Sequence, residues 1–370
     1  MGFSADGNEK KTKEVGKDGN ESDPEPYVPS EGSASDTDVD LLEQVRVKID
    51  PVHKQVNDFL RNVNIYEEQN LDVERPFYMR AKRLQGYATH EGTSKFFNRA
   101  IGLGDADDLD VHPTNFRTPF QSDLKISSLG IGTYMGDPDD ITDFLMYDAI
   151  KQSVLSGGIN HIDTAPNYRY MKSEKTVGKI LTTLENKYDI DRSQLFVTSK
   201  AGYVPEDAEN QISLRLMLES LIVEHGVPED SIVSESAHCM HPTFLEWSLA
   251  DSLRRLNLET LDCLYLHNAY ESQGPFNTDN VFFDRLAEAF EFMEKMVEAG
   301  KIRSYGMATY SCFRVKPTEA KMHLNLQKVE RIAQKVVGED KKHNFKYIQV
   351  PANVLMPESF VELWQAFEDD

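Results

Sequence analysis

Cysteine, basic residues and long apolar runs are scarce in this chain, and each shortage closes off a class of function. Cys239, Cys263 and Cys312 are the three cysteines among 370 residues. Their spacing builds neither a disulfide framework nor a zinc knuckle, so they read as reduced thiols of a reducing compartment. Forty Lys and Arg stand against 62 Asp and Glu, a net charge of −22. Phosphate backbones need a basic patch, so nucleic acid is excluded as a partner. No apolar run approaches the ~18–20 residues of a membrane span. The opening Met1-Gly-Phe-Ser-Ala-Asp6 lacks the apolar core of a signal peptide. Asp6 also stands where a myristoylation signal needs Ser or Thr. A cytoplasmic protein without a membrane anchor is expected. Neither a Gly-x-Gly-x-x-Gly turn nor a P-loop lies at the first strand, which argues against a dinucleotide-binding doubly wound fold.

Hydrophobic residues make up 39% of the chain, low enough to expect part of it outside any core. Residues 1–40 hold eleven Asp and Glu, four Lys and hardly an apolar side chain. Burial cannot offset the chain entropy there, so a disordered acidic tail is expected. It reads as a solubilising tail or, through Ser33, Ser35 and Thr37, a phospho-regulated one. Residues 41–120 read as a helical and irregular extension. Leu42, Val45, Ile49, Val52, Val56, Phe59, Leu60 and Val63 recur mostly at steps of three and four. That spacing predicts an amphipathic helix, or a pair broken near Pro51, over 41–66. It could dock on its own domain, self-associate or meet a protein partner. Residues 67–120 show no clear period and are expected to wrap the domain surface.

A strong rhythm begins within 121–370: short apolar run, loop, helix, short apolar run. The expected strands are Ile126–Thr133, Ile159–Ile162, Leu195–Lys200, Leu261–His267, Ile302–Ala308 and Tyr347–Val350. Helical patterns separate them, an insertion over 201–242 interrupts them, and a last helix is expected around Phe360, Leu363, Trp364 and Phe367. Strands alternating with helices predict a parallel sheet covered by helices, here a (β/α)8 barrel of TIM type. About six strand–helix units are present, so the barrel is expected to be incomplete and the chain to be truncated before the last strands.

On such a fold, chemistry sits at the C-terminal ends of the strands. Asp163 closes the second strand, Lys200 the third and His267 the fourth, with Tyr168 in the loop after the second. Neighbouring strands lie ~4.8 Å apart, so these four groups can converge. A strand-end lysine alone is usually a solvated cap and a lone histidine usually structural; four groups at three consecutive ends are harder to dismiss. His238-Cys-Met-His241 offers two histidines without a second pair at metal-site spacing, so no metal is expected.

These residues carry a resemblance. Gly130-Ile-Gly-Thr133, Ile162-Asp-Thr-Ala165 with Tyr168, Ser173-Glu174 with Gly178, Thr198-Ser-Lys200, Tyr265-Leu-His-Asn268 and Gly300-Lys-Ile-Arg-Ser-Tyr-Gly306 are similar to the aldo-keto reductases. Tyr87-Ala-Thr-His-Glu-Gly92, Gly202-Tyr-Val-Pro205 and Ala352-Asn-Val-Leu-Met-Pro357 resemble a long-insert branch of plants, algae and bacteria. The resemblance implies reduction of a small-molecule carbonyl to an alcohol by hydride transfer. Tyr168 would donate the proton, Lys200 would lower its pKa, Asp163 would hold Lys200, and His267 would orient the carbonyl oxygen. It implies NADP(H) as cofactor, with NAD(H) as an alternative. Cofactor-binding roles would fall to Gly132, Thr133, Asp163, Asn268, Thr309 and Gln349. At the fifth strand the family commonly shows Ser-Asn, whereas this chain has Ala308-Thr309. The competing expectation is an aldo-keto-reductase-like binding or regulatory protein, impaired in catalysis because the C-terminal cofactor-binding region is missing.

Overall fold

The computed structural model describes residues 83–365, apart from 104–108, 120 and 320. The expected acidic tail and the amphipathic helix over 41–66, with its docking role, lie outside the described residues. Helix α1 (His90–Ala100) is followed by the short strands β1 (Phe116–Arg117) and β2 (Ile126–Ser127). The repeating part runs β3 (Ile131–Gly132), α2 (Asp140–Leu155), β4 (His161–Asp163), α3 (Lys172–Tyr188) and β5 (Phe196–Ala201). The insertion folds as α4 (Leu214–Val223) and the pair β6 (Ile232–Val233) and β7 (His238–Cys239). Then come α5 (Pro242–Arg255), β8 (Cys263–His267), α6 (Ala269–Gln273), α7 (Asp279–Glu298), β9 (Tyr305–Ala308), α8 (Leu326–Val337), β10 (Phe345–Gln349) and α9 (Glu358–Val361).

Six strands form one sheet in the order β10-β9-β8-β5-β4-β3, and every neighbouring pair is parallel. This is the strand–helix repeat of the TIM-barrel type. Two expectations need correction. The strand expected over Ile126–Thr133 is two strands. Ile126–Ser127 pairs antiparallel with β1, while Ile131–Gly132 joins β4 in the parallel sheet. Between them Ser127 Oγ donates to the Leu129 carbonyl at 2.7 Å, which bends the chain and ends the first pairing. The helix expected through Phe367 is confined, among the described residues, to Glu358–Val361, and Leu363 beyond it is 92% exposed.

Local chemistry explains where helices start and stop. Asp139 caps α2 by accepting from the Thr142 N–H at 2.7 Å, and Asp140 and Asp143 lie in its positive first turn. Gly157 and Gly300 take positive φ after α2 and α7, the conformation that lets a chain leave a helix without a Cβ clash. Gly178 serves packing instead. A Cβ there would meet the Arg255 carbonyl oxygen at 2.3 Å, so only glycine lets α3 approach the end of α5.

Central strand β5 is buried at all six positions, whereas edge strand β10 alternates between covered and exposed. A strand turns successive side chains to opposite faces, and here the two faces go to different cores. Val197, Ala201, Leu264 and Leu266 pack outward with the helices. Phe196, Cys263, Tyr265 and Ala308 pack inward with Ile126 and Ala88. The described residues before β2 take part in both. Phe96 and Phe116 join the outer core, and Leu84 forms a parallel bridge with Leu258.

Candidate active site

The same parity that turns Phe196 and Cys263 inward carries Lys200 and His267, four residues further along their strands, to the inner face at the C-terminal ends. His161 packs edge-on against Phe196 with ring centroids 5.4 Å apart, so Asp163, two residues on, belongs to that face as well. Register completes the convergence. Asp163 lies opposite Thr198, and Lys200 opposite Tyr265.

Lys200 is 1% exposed, a costly place for an ammonium. Its Nζ is held by Asp163 Oδ2 at 2.5 Å and by the Thr164 carbonyl at 3.0 Å. The other carboxylate oxygen, Oδ1, accepts from Thr198 Oγ1 at 2.7 Å, which fixes the direction of Asp163. Nζ also lies 4.7 Å from the centre of the Tyr168 ring. The Tyr168 ring stands edge-to-face with His267 at 5.9 Å and with Tyr134 at 5.1 Å. Tyr168, Lys200, Asp163 and His267 therefore form one contiguous cluster.

The electrostatics refine the expectation for Tyr168. Burial raises its pKa above the ordinary 10.0; the nearby Lys200 ammonium pulls it back down, and burial wins. The phenol is thus a protonated donor throughout the neutral range. His267 is pushed down to about 3, by burial first and then by the positive Lys200 and by His238. It is a neutral imidazole at neutral pH. Among the described residues its ring nitrogens have no hydrogen-bond partner.

The other expected site residues divide into two groups. Thr133 Oγ1 donates to Thr164 Oγ1 at 2.8 Å and knits β3 to β4, so its hydroxyl is already engaged. Asn268 has a left-handed φ of 47°, and its amide donates to the Tyr203 hydroxyl at 3.3 Å, behind His267. Gly132 stands in the open, since a Cβ there would meet nothing within 4 Å. Thr309 and Gln349 are adjacent across the sheet, the Thr309 N–H donating to the Gln349 carbonyl at 2.8 Å. Thr309 Oγ1 is buried beside the Cys312 thiol, with no oxygen or nitrogen partner among the described residues. A buried hydroxyl oxygen left in that condition fits an amide ligand such as a nicotinamide carboxamide. Ala308 offers no such group.

Sequence reasoning gave no role to Thr198, Tyr203 or His238. Thr198 carries a readable signal, standing one inward position before Lys200 on the same strand. His238 and Tyr203 sit on the insertion, and their closeness to His267 is set only by the fold. His238 and His241 do not pair as ligands. His241 caps α5, and no cluster of three His, Cys, Asp or Glu able to hold a metal exists among the described residues. No helix among those residues is long and apolar enough to cross a membrane.

A parallel sheet covered by helices, with the candidate cluster at the C-terminal ends of its strands, defines the class of protein: a fold of the TIM-barrel type. The profile of the aldo/keto reductase family matches residues 128–332, which is more than half of the chain, and the chain belongs to that family. Among curated proteins it is 28% identical over 195 residues to the NADH-specific methylglyoxal reductase of Escherichia coli (strain K12), covering 50% of this chain and 49% of that one. It is 26% identical over 188 residues to aldo-keto reductase family 4 member C11 of Arabidopsis thaliana, covering 50% and 47%. It is 27% identical over 161 residues to the D-threo-aldose 1-dehydrogenase of Pseudomonas sp, covering 44% and 43%. The chain thus spans about half the length of the curated relatives it matches. Among solved structures, an aldo-keto reductase from Bacillus halodurans in its holo form matches with a TM-score of 0.37 at 24% identity, covering 56% of this chain and 52% of the other.

Proposed function

We propose that this chain reduces a small-molecule aldehyde or ketone to an alcohol, taking hydride from a nicotinamide dinucleotide and a proton from Tyr168. The observation that carries the reading is the contiguity of Tyr168, Lys200, Asp163 and His267 at three adjacent strand ends. A carbonyl carbon accepts hydride only as its oxygen gains stabilisation or a proton. The Tyr168 phenol, kept protonated by burial, is the donor. Lys200 favours the phenolate left behind, and Asp163 and the Thr164 carbonyl keep Lys200 in place. Neutral His267 directs a ring N–H at the carbonyl oxygen, adding a donor without a second positive charge beside Lys200.

The nicotinamide supplies the hydride when bound. Thr309 and Gln349 would hold its carboxamide, Thr309 through its buried hydroxyl. Asp163, engaged with Lys200 and Thr198, and Asn268, engaged with Tyr203, would act in support. NADP(H) is our first choice and NAD(H) the second, since one relative is named NADH-specific. Substrates to try first are methylglyoxal and aldoses, after the names of two relatives.

The test is absorbance loss of NADPH or NADH with each carbonyl, for the full chain and for Tyr168→Phe. General-acid catalysis contributes ~10²–10⁴-fold, so the variant should fall by about that factor with its circular dichroism unchanged. Turnover untouched by the substitution would overturn the mechanism. Dinucleotide binding in a fluorescence titration without turnover on any carbonyl would favour the non-catalytic binding role.

A further inference from the structure

We propose that His238, carried by the insertion between β5 and α5, is a positioning residue that fixes the main chain at His267 through a directed hydrogen-bond relay. The proposal rests on the reading of His267 as the group that orients the carbonyl.

The direction of the relay follows from one fixed donor. Arg285 Nη1 donates to Gln273 Oε1 at 2.8 Å, and a guanidinium has no lone pair with which to accept. The orientation of the Gln273 amide is thereby settled. Its Nε2 donates to His238 Nδ1 at 3.2 Å, so Nδ1 is the bare nitrogen and the ring proton sits on Nε2. That N–H donates to the His267 carbonyl at 2.8 Å. Full burial pushes His238 down to about 4, and a neutral ring is the form this relay requires.

The carbonyl so held occupies a sensitive place. His267 is the last residue of β8, and Asn268 immediately turns into left-handed backbone with φ 47°. Beyond that point the chain keeps one bond to the sheet, from the Asn268 N–H to the Ala308 carbonyl at 2.6 Å. The Tyr203 ring packs edge-on against both His238 and His267, with centroids 5.1 Å away in each case. Backbone and ring of His267 are therefore both braced from the insertion side. Gly202 leaves room for His238, since a Cβ there would meet His238 Nε2 at 2.4 Å.

The experiment compares His238→Gln, which places an N–H near the same reach, with His238→Leu, which removes it, in the full chain. Misplacement of a catalytic group by about 1 Å can lower turnover by ~10²-fold. We expect His238→Leu to lose about tenfold to a hundredfold in kcat, with dinucleotide affinity unchanged, and His238→Gln to stay within about threefold. Gly202→Ala, which crowds the ring and also strains a backbone at φ 143°, should lose at least as much as His238→Leu does. Nitrogen-15 NMR of labelled histidine adds a readout that needs no turnover. The wild type should show His238 as the Nε2–H tautomer, and the His267 ring signals should shift in the Leu but not the Gln variant. A folded His238→Leu with kcat within about threefold and unmoved His267 signals would overturn the proposal. So would a Gln variant as impaired as the Leu variant, or the opposite tautomer. If the wild type reduces no carbonyl, the proposed function fails, and the NMR comparison alone decides the relay.

Discussion

Two buried ion pairs, at opposite ends of the same sheet, differ in what surrounds them. At the C-terminal end Lys200 meets Asp163 at 2.5 Å, with side chains 1% and 14% exposed. Before and at the N-terminal end Arg192 meets Asp262 at 2.7 Å, with side chains 1% and 2% exposed. The chemistry of the pairs is alike; their surroundings are not. Asp262 is saturated by structure. Besides Arg192 it accepts from the Ala88 and Val197 N–H groups, each at 2.7 Å, and it fastens the lead-in segment, β5 and the start of β8 together. Arg192 in turn donates to the Leu195 and Thr260 carbonyls. Lys200 and Asp163 instead stand beside the Tyr168 phenol, whose polar contact is Lys200 itself, and beside the His267 ring, whose nitrogens have no hydrogen-bond partner among the described residues. A buried charge pair is thus no mark of function by itself.

Substitutions at the two pairs should have different consequences. Removing Lys200 should have the largest effect on chemistry: Lys200→Met is expected to lower turnover by ~10²-fold or more, read by dinucleotide oxidation at a temperature where the variant is folded. Removing its counterpart should act on stability instead. Asp262→Asn leaves Arg192 without its counter-charge, a loss of about 3–5 kcal/mol in urea unfolding, with kcat of the folded protein unchanged. Equal loss of activity in the two variants would erase the distinction drawn here.

Acid should act through the top of the sheet. His238 and His267 titrate at about 4 and about 3 in the fold, against an ordinary 6.5. Below pH 6.5 the unfolded chain takes up protons that the folded chain refuses. Stability present above pH 6.5 is therefore lost as the pH falls toward 4 and then 3. Urea midpoints measured across that window should fall, and His238→Gln should flatten part of the slope. The smallest effect is expected from Tyr203→Phe. It keeps the ring against both histidines but deletes the hydroxyl that accepts from Asn268 and from Ser272 at 2.9 Å. A loss of about 1 kcal/mol in thermal unfolding is expected.

Much of the fold was legible because its signals are local. Strand-like runs alternating with amphipathic helices announced the parallel sheet, and all six expected strands occur in it, the first one shortened to Ile131–Gly132. That run misled because Ile126, Leu129 and Ile131 read as one apolar stretch, while the bend rests on a side-chain bond from Ser127 to the Leu129 carbonyl. The candidate cluster was legible for the same reason, each member standing at or just after a strand end. The net direction of the Tyr168 shift was not, because proximity to Lys200 can be guessed from topology while the extent of burial cannot.

The sequence by itself determined the repeating strand–helix order, the residue types at the strand ends, and hence the family to which the chain belongs. Those depend on side-chain periodicity and on neighbours within a few positions. Tertiary structure alone decided which charge pair faces the inner mouth and which becomes a fastening. It also brought His238 and Tyr203 of the insertion against His267, and set burial above the Lys200 charge at Tyr168. Burial and relay geometry come from residues distant along the chain, such as Arg285 and Gly202, whose meeting no local pattern encodes.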